Sequence, residues 1–420
     1  RHGARSVGVV QGYQALATQA GPVARRFCDL FGTPNYASAA SLCYFAKVMG
    51  NSLTFNHRGI FLEPNLERSR CILVWGANPA ASAPPVQRAL QRARRRGARL
   101  IVVDPRLTPL ARRAEVHLRP RPGTDLALAL GMLHVLVEEG RVDRGFLPFV
   151  HGLDRLADHL RRYHPREVER LCGVAADDVR RAVRLYAEGP ASILRGVSLD
   201  HSPQGVQAHR ALACLIALSG NYDRFGGNAY VHPPPLEDLR PPERPGLAEA
   251  VAADLPLYQR ISGETSATSL VRAVLEDRPY PVRALILDAC NPLLTFPNAR
   301  LVQRALQRLE LLVVIDHFLT PTARLAHVAL PAAAFPERWE LVHYAYFGRP
   351  LVRLCSPALQ APGDCWPPWR IWAELGRRLG QSMPWGSDEE LLGQLLRPLG
   401  ARVEAGGMEL QYEPRRERKY

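Results

Sequence analysis

The feature that most constrains this chain is that it contains the same segment twice. Ile72-Leu-Val-Trp-Gly-Ala-Asn78-Pro79 resembles Leu285-Ile-Leu-Asp-Ala-Cys-Asn291-Pro292, and the identical string Val-Gln-Arg-Ala-Leu-Gln-Arg follows at 86–92 and at 302–308. Val102-Val103-Asp104 then matches Val314-Ile315-Asp316, with Leu107-Thr108-Pro109 and Leu319-Thr320-Pro321 at the same offset beyond. The spacing from Asn to Asp is 26 residues in one copy and 25 in the other. Self-similarity over such a stretch marks a repeated structural unit. Each copy reads as a β-branched strand, an Asn-Pro turn, a helix, a second strand and an Asp, which is a βαβ unit with parallel strands.

In a right-handed βαβ unit both turns fall at the carboxyl ends of the strands, where open α/β sheets bind ligands. Helix N-termini there present free N–H groups to phosphate, and an Asp at the next strand end can accept from a ribose hydroxyl or a guanine N–H. Two copies imply two nucleotide-like ligands, or one large ligand held by two pseudo-equivalent domains. The alternative for a single copy is an Asn-Pro turn and a capping Asp with no ligand.

The expected fold class is α/β, with two related Rossmann-like parallel-sheet domains. A first domain is expected over 1–150, with a loop at about 33–60, and a second over 151–420, with a Pro-rich excursion at about 232–247. At 420 residues with 47% hydrophobic and 22% charged residues, the chain can bury real cores. The formal net charge of +14 comes almost wholly from arginine, since Lys47 and Lys419 are the only lysines. Basic and aromatic residues are not interleaved as on a nucleic-acid platform, so no nucleic-acid partner is expected. The longest apolar run, Leu126 to Val137, is too short to span a bilayer. G-x-G-x-x-G after a strand, the P-loop, H-E-x-x-H and G-x-S-x-G are all absent, which disfavours the common NAD, ATPase, zincin and hydrolase chemistries. The eight cysteines contain no C-x-x-C pair and read as buried small hydrophobes. The chain opens at Arg1 without Met, and is expected to be an internal piece of a larger protein.

Gly76-Ala77-Asn78-Pro79, Val103-Asp104-Pro105-Arg106, Arg121-Pro-Gly123-Thr124-Asp125, Gly220-Asn221 with Gly226-Gly227, Cys290-Asn291-Pro292, Asp316 with Thr320 and Thr322, and Leu330-Pro331-Ala332-Ala333 with Glu337-Arg338 come in one order along nearly the whole chain. Together they resemble the molybdopterin oxidoreductases of the dimethyl sulfoxide reductase family. The resemblance implies a molybdenum or tungsten bis(molybdopterin guanine dinucleotide) cofactor with the metal between the two domains. It places Gly76, Ala77 and Asn78 near one pyrophosphate, Asp104 and Asp125 near one nucleotide end, and Asn291, Asp316 and Arg338 near the other. Arg106, Gly123 and Gly196 are assigned to cofactor binding on the same ground. From local sequence alone Asp125 reads equally well as a helix N-cap, and Arg338 as a solvated charge.

Cys43 falls where the family puts the protein ligand to the metal, a soft donor suited to molybdenum or tungsten. By itself, between Leu42 and Tyr44, it would be a buried structural cysteine. His201 and His232 are candidates for proton transfer. The resemblance further implies an iron–sulfur cluster in a segment ahead of this chain, an iron–sulfur electron-transfer subunit and a membrane anchor subunit as partners, and a small-molecule substrate. Tyr44 stands where formate dehydrogenases carry His, which weakens formate and leans toward thiosulfate and polysulfide reductase or acetylene hydratase-like branches. Pro368 stands where many relatives have Asp. The expected activity is two-electron oxygen- or sulfur-atom transfer. The alternatives are a hydratase using the metal as Lewis acid, and a metal-free structural electron-transfer subunit.

Overall fold

The β-branched runs become strands because they can be buried on both faces, the condition that parallel sheets impose. The structure, a computed structural model, describes residues 1–56, 61–231, 234–346, 349–404 and 407–409. By compactness the described residues divide into two units that alternate along the chain: 43–56 and 61–231 with 345–346 and 349, and 1–42 with 234–344, 350–404 and 407–409.

The first of these holds a parallel sheet in the order Val116–Leu118, Arg99–Val103, Cys71–Trp75, Ala191–Arg195. The other holds a parallel sheet in the order Val328–Pro331, Leu311–Asp316, Ala284–Asp288, Val7–Gln11, Tyr36–Ser38. Three consecutive strands of each sheet come from one copy of the repeat. The fourth position is filled by Ala191–Arg195 in one unit and by Val7–Gln11 in the other, both parallel to the repeat's first strand. The expected α/β class with two related parallel-sheet domains is what the structure has.

The division differs from the expected one near residue 150. Residues 151–232 stay with the first repeat because Ala191–Arg195 pairs with Cys71–Trp75. Residues 1–42 belong with the second because Val7–Gln11 pairs with Ala284–Asp288. Hydrogen bonding to a sheet edge, which sequence distance does not register, decides membership.

Within each copy the helices follow from the pattern. Pro84–Arg95 buries Val86, Leu90 and Ala93, at helical spacing, while its arginines face out. Ala299–Arg308 buries Val302, Ala305 and Leu306, and Asn298 caps it by accepting the Leu301 N–H at 3.2 Å. The described part of the Pro-rich excursion has no regular element until Leu247–Glu249, yet it is fastened: Leu239 is buried and Arg240 makes a two-pronged bond to Asp29 at 2.6 and 3.0 Å. Among the described residues no helix is long and apolar enough to cross a membrane.

Candidate cofactor site

At the carboxyl end of each sheet the two copies match in their Asn-Pro turns and in the bonds of their aspartates and following threonines. Asn78 and Asn291 take nearly the same backbone angles, φ −124° and −115°, directly before helices Pro79–Ser82 and Pro292–Thr295. Proline at the first helical position suits both, because its missing N–H would have no partner there. Asp104 follows the strand Arg99–Val103, and Asp316 ends the strand Leu311–Asp316. Each carboxylate accepts a backbone N–H two residues on, from Arg106 at 2.8 Å and from Phe318 at 3.1 Å. Thr108 and Thr320 then accept the N–H of Ala111 and Ala323 at 3.1 and 3.2 Å.

The neighbouring strand supplies a second correspondence that the repeat does not contain. Gly196 follows Ala191–Arg195 and donates its N–H to the Trp75 carbonyl at 2.8 Å, while Gly12 follows Val7–Gln11 and donates to Asp288 at 2.7 Å. A Cβ at Gly196 would lie 1.9 Å from the Gly76 carbonyl oxygen, and one at Gly12 would lie 1.8 Å from that of Ala289. Gly76 and Ala289 both have positive φ, 60° and 51°. One glycine at each sheet end thus lets two backbone turns touch where any side chain would keep them apart. Gly196 was expected in the site; Gly12 was not.

The copies differ in one informative way. Thr322 donates its hydroxyl to the Asn291 side-chain oxygen at 2.6 Å and accepts the Leu293 N–H at 3.2 Å. Leu110 stands at the corresponding place in the first copy, and there Asn78 Oδ1 is buried with no hydrogen-bond partner. Such an atom normally costs about 1–3 kcal/mol, so it calls for a donor from outside the chain. Thr322→Val in the second copy is expected to lower stability by about 1–3 kcal/mol through the same loss. A shift of the urea midpoint at unchanged slope checks it, and an unchanged midpoint contradicts it.

The remaining expected residues fall as follows. Asp125 is the first residue of helix Asp125–Glu138, and Thr124 occupies the N-cap, so the capping reading is corrected: its carboxylate accepts the indole N–H of Trp75 at 2.8 Å. In the other unit Asp288, at the place of Trp75, accepts from Trp372 at 2.7 Å and Gln11 at 2.8 Å, and burial pushes its carboxyl above the usual range against those donors. Gly123 makes the positive-φ turn ahead of Asp125, with φ 86°. Arg106 is 72% exposed, with its guanidinium 3.5 Å from Asp104. Arg338 is not the solvated charge its local sequence allows: it is 6% exposed, and it donates to the Ala333 carbonyl and, at 2.7 Å, to Glu340. His232 lies outside the described residues.

Cys43 is exposed, unlike the buried structural cysteine its flanks permit, and no other cysteine of the chain is. It precedes the helix Phe45–Phe55, whose Lys47 N–H is held at 2.8 Å by the Asp200 carboxylate. Asp200 lies in the turn after Ala191–Arg195, next to the exposed His201, so this turn joins Cys43's helix to the carboxyl end of the sheet. Partial burial, and then Asp200, push the Cys43 thiol up, while Lys47 opposes them. His209 is fully buried with its Nε2 3.4 Å from Asp200, and burial pushes its imidazole down to about 4, leaving it neutral at pH 7. Asp200 was not found from the sequence; its partner is far away along the chain and no local pattern marks it. Cys290, at the place of Ala77, is buried with its thiol pushed up to about 12 by burial and by Asp288 and Asp316, so it keeps the structural reading.

Each sheet thus ends in a matching set of turns, and the described cysteines include one exposed thiol. The molybdopterin oxidoreductase family profile matches residues 1–378, and the chain belongs to that family. It is 29% identical to acetylene hydratase of Syntrophotalea acetylenica over 96% of this chain and 59% of that protein. Formate dehydrogenase H of Escherichia coli is 28% identical over 87% of this chain and 53% of its own length. The thiosulfate reductase molybdopterin-containing subunit PhsA of Salmonella typhimurium is 28% identical over 92% and 53%. The solved structure of acetylene hydratase from Pelobacter acetylenicus superposes with a TM-score of 0.82 at 27% identity, covering 98% of this chain and 61% of that one. The chain thus spans between half and two thirds of these relatives.

Proposed function

We propose that this chain is the cofactor-holding core of a molybdenum or tungsten bis(molybdopterin guanine dinucleotide) oxidoreductase that reduces a small sulfur oxyanion or polysulfide. The observation that carries this reading is the orphaned Asn78 oxygen in the turn after Gly76, whose close contact with Gly196 has its counterpart between Ala289 and Gly12. These residues fit the group: two glycine-lined cradles for two pyrophosphates, Asp104 and Asp316 to receive N–H or O–H donors of a nucleotide, and a thiol for the metal. When bound, the cofactor supplies a two-electron redox centre. Cys43 offers the soft protein ligand. Proton transfer is assigned in this reading to His201, exposed on the turn that also fixes Cys43's helix.

For thiosulfate the reaction balances as one thiosulfate, two protons and two electrons giving sulfite and hydrogen sulfide. An iron–sulfur cluster ahead of this chain and an iron–sulfur partner subunit, with a membrane anchor subunit beyond it, would deliver the electrons. Tyr44 after Cys43 supports this branch over formate oxidation. A second reading, water addition to acetylene without net redox, is supported by the coverage and superposition of acetylene hydratase.

The full-length protein separates the two. Thiosulfate- or polysulfide-dependent oxidation of a reduced viologen dye is the expected result. Acetaldehyde formation from acetylene, with no dye oxidation on either sulfur substrate, selects the hydratase.

A further inference from the structure

We propose a divalent transition-metal site, with zinc the natural occupant, formed by His134, Glu138 and His164. Their ligand atoms lie within 4.8 Å of one another, and no other group of three such side chains does so among the described residues. His134 and Glu138 are one turn apart on the helix Asp125–Glu138, and His164 caps the helix Pro165–Cys172. The site is separate from the cofactor region. Asp125 marks that end of the helix, and at 1.5 Å per residue His134 and Glu138 are about 14–20 Å further along its axis.

Each ligand is already oriented. The Nδ1–H of His134 donates to the Leu160 carbonyl at 2.9 Å. A carbonyl only accepts, so the neutral ring carries its proton there and leaves a lone pair on Nε2. That Nε2 is buried without a hydrogen-bond partner, 3.6 Å from Glu138 Oε1. Glu138 keeps Oε1 for this site because Arg180 holds its other oxygen, Oε2, at 2.7 Å. The same bond holds the Glu138 carboxyl below its ordinary range, so it is ionised at neutral pH. His164 is edge-on to His134, with ring centroids 5.4 Å apart at 76°. Its ring accepts the Arg166 N–H at 3.3 Å, a long bond that gives way to a metal at little cost.

Two imidazoles and a carboxylate, with a fourth position left to water, are a zinc ligand set, and outer partners on ligating groups are its usual support. Arg180, as a nearby cation, offsets part of the affinity, so micromolar binding is expected rather than nanomolar. A bound ion would tie Asp125–Glu138 to Pro165–Cys172 and raise the melting temperature with zinc concentration.

The test uses the full chain, chelator-treated, titrated calorimetrically with zinc and spectroscopically with Co2+. One zinc per chain is expected, with a cobalt spectrum lacking a thiolate charge-transfer band. His164→Asn, which retains a helix cap, and Glu138→Gln, which retains an acceptor for Arg180, should each weaken binding at least tenfold. Failure of the wild-type chain to bind zinc, a thiolate band, or unchanged affinity in either variant overturns the site.

Discussion

Cys43→Ala in the full-length protein leaves the fold intact and removes turnover. The side chain is exposed, so its loss opens no core cavity, and stability should change by no more than about 0.5 kcal/mol. Activity should fall at least about 100-fold, since even partners one shell beyond a metal ligand cost 10–100-fold. Cys43→Ser is the finer probe. Oxygen is a harder donor than sulfur, so metal content should survive better than activity, and the metal's electronic or paramagnetic spectrum should change. Both variants keeping the wild-type rate and spectrum would make Cys43 a bystander. A parallel loss of melting temperature would make it structural.

Gly196→Ala should have the second-largest effect, by a different physical route. The added methyl would sit 1.9 Å from the Gly76 carbonyl oxygen, and backbone cannot swing aside as a side chain does. The two turns must separate, at a cost of about 1–3 kcal/mol or more, which for a unit of this size is roughly 2–12 °C in melting temperature. Cofactor retention should fall as well, because the separated turns are the cradle beside Asn78. Gly97→Ala is the control: Gly97 also has positive φ, at 91°, but a Cβ there meets nothing within 4 Å. It should cost about 1 kcal/mol from backbone conformation alone and leave the cofactor in place. Equal cofactor content in the two variants would remove the cradle from the account.

These variants mark where the sequence was readable and where it was not. The repeat is printed in the residues, so Asn78, Asn291, Asp104 and Asp316 could be placed at matching strand ends before any coordinates. The equivalence of Gly12 and Gly196 could not. Val7–Gln11 precedes its repeat and Ala191–Arg195 follows its own, and the two strands share no residue at any aligned position. Only the pairing of each beside its repeat reveals them as counterparts. The same fact moved the domain division, since a strand joins whichever sheet offers it hydrogen bonds.

Side-chain environments were legible only where partners are close in sequence. Asp200 reaches Lys47 across 153 positions, and His164 comes beside His134 by the packing of separate helices. Arg338 shows the converse limit. Its partner, Glu340, is two residues on, but whether such a pair is solvated or buried depends on what packs over it.

We propose that each copy of the repeat holds one guanine dinucleotide of a single-metal cofactor. The most direct measurement is to purify the full-length protein anaerobically, count molybdenum and tungsten by mass spectrometry, and count GMP released by acid hydrolysis. One metal and two GMP per chain are predicted. Asn78→Ala should lower both, because the first cradle loses its acceptor. A purified, folded protein that carries neither metal nor GMP, or a single GMP with wild-type metal content, contradicts the account.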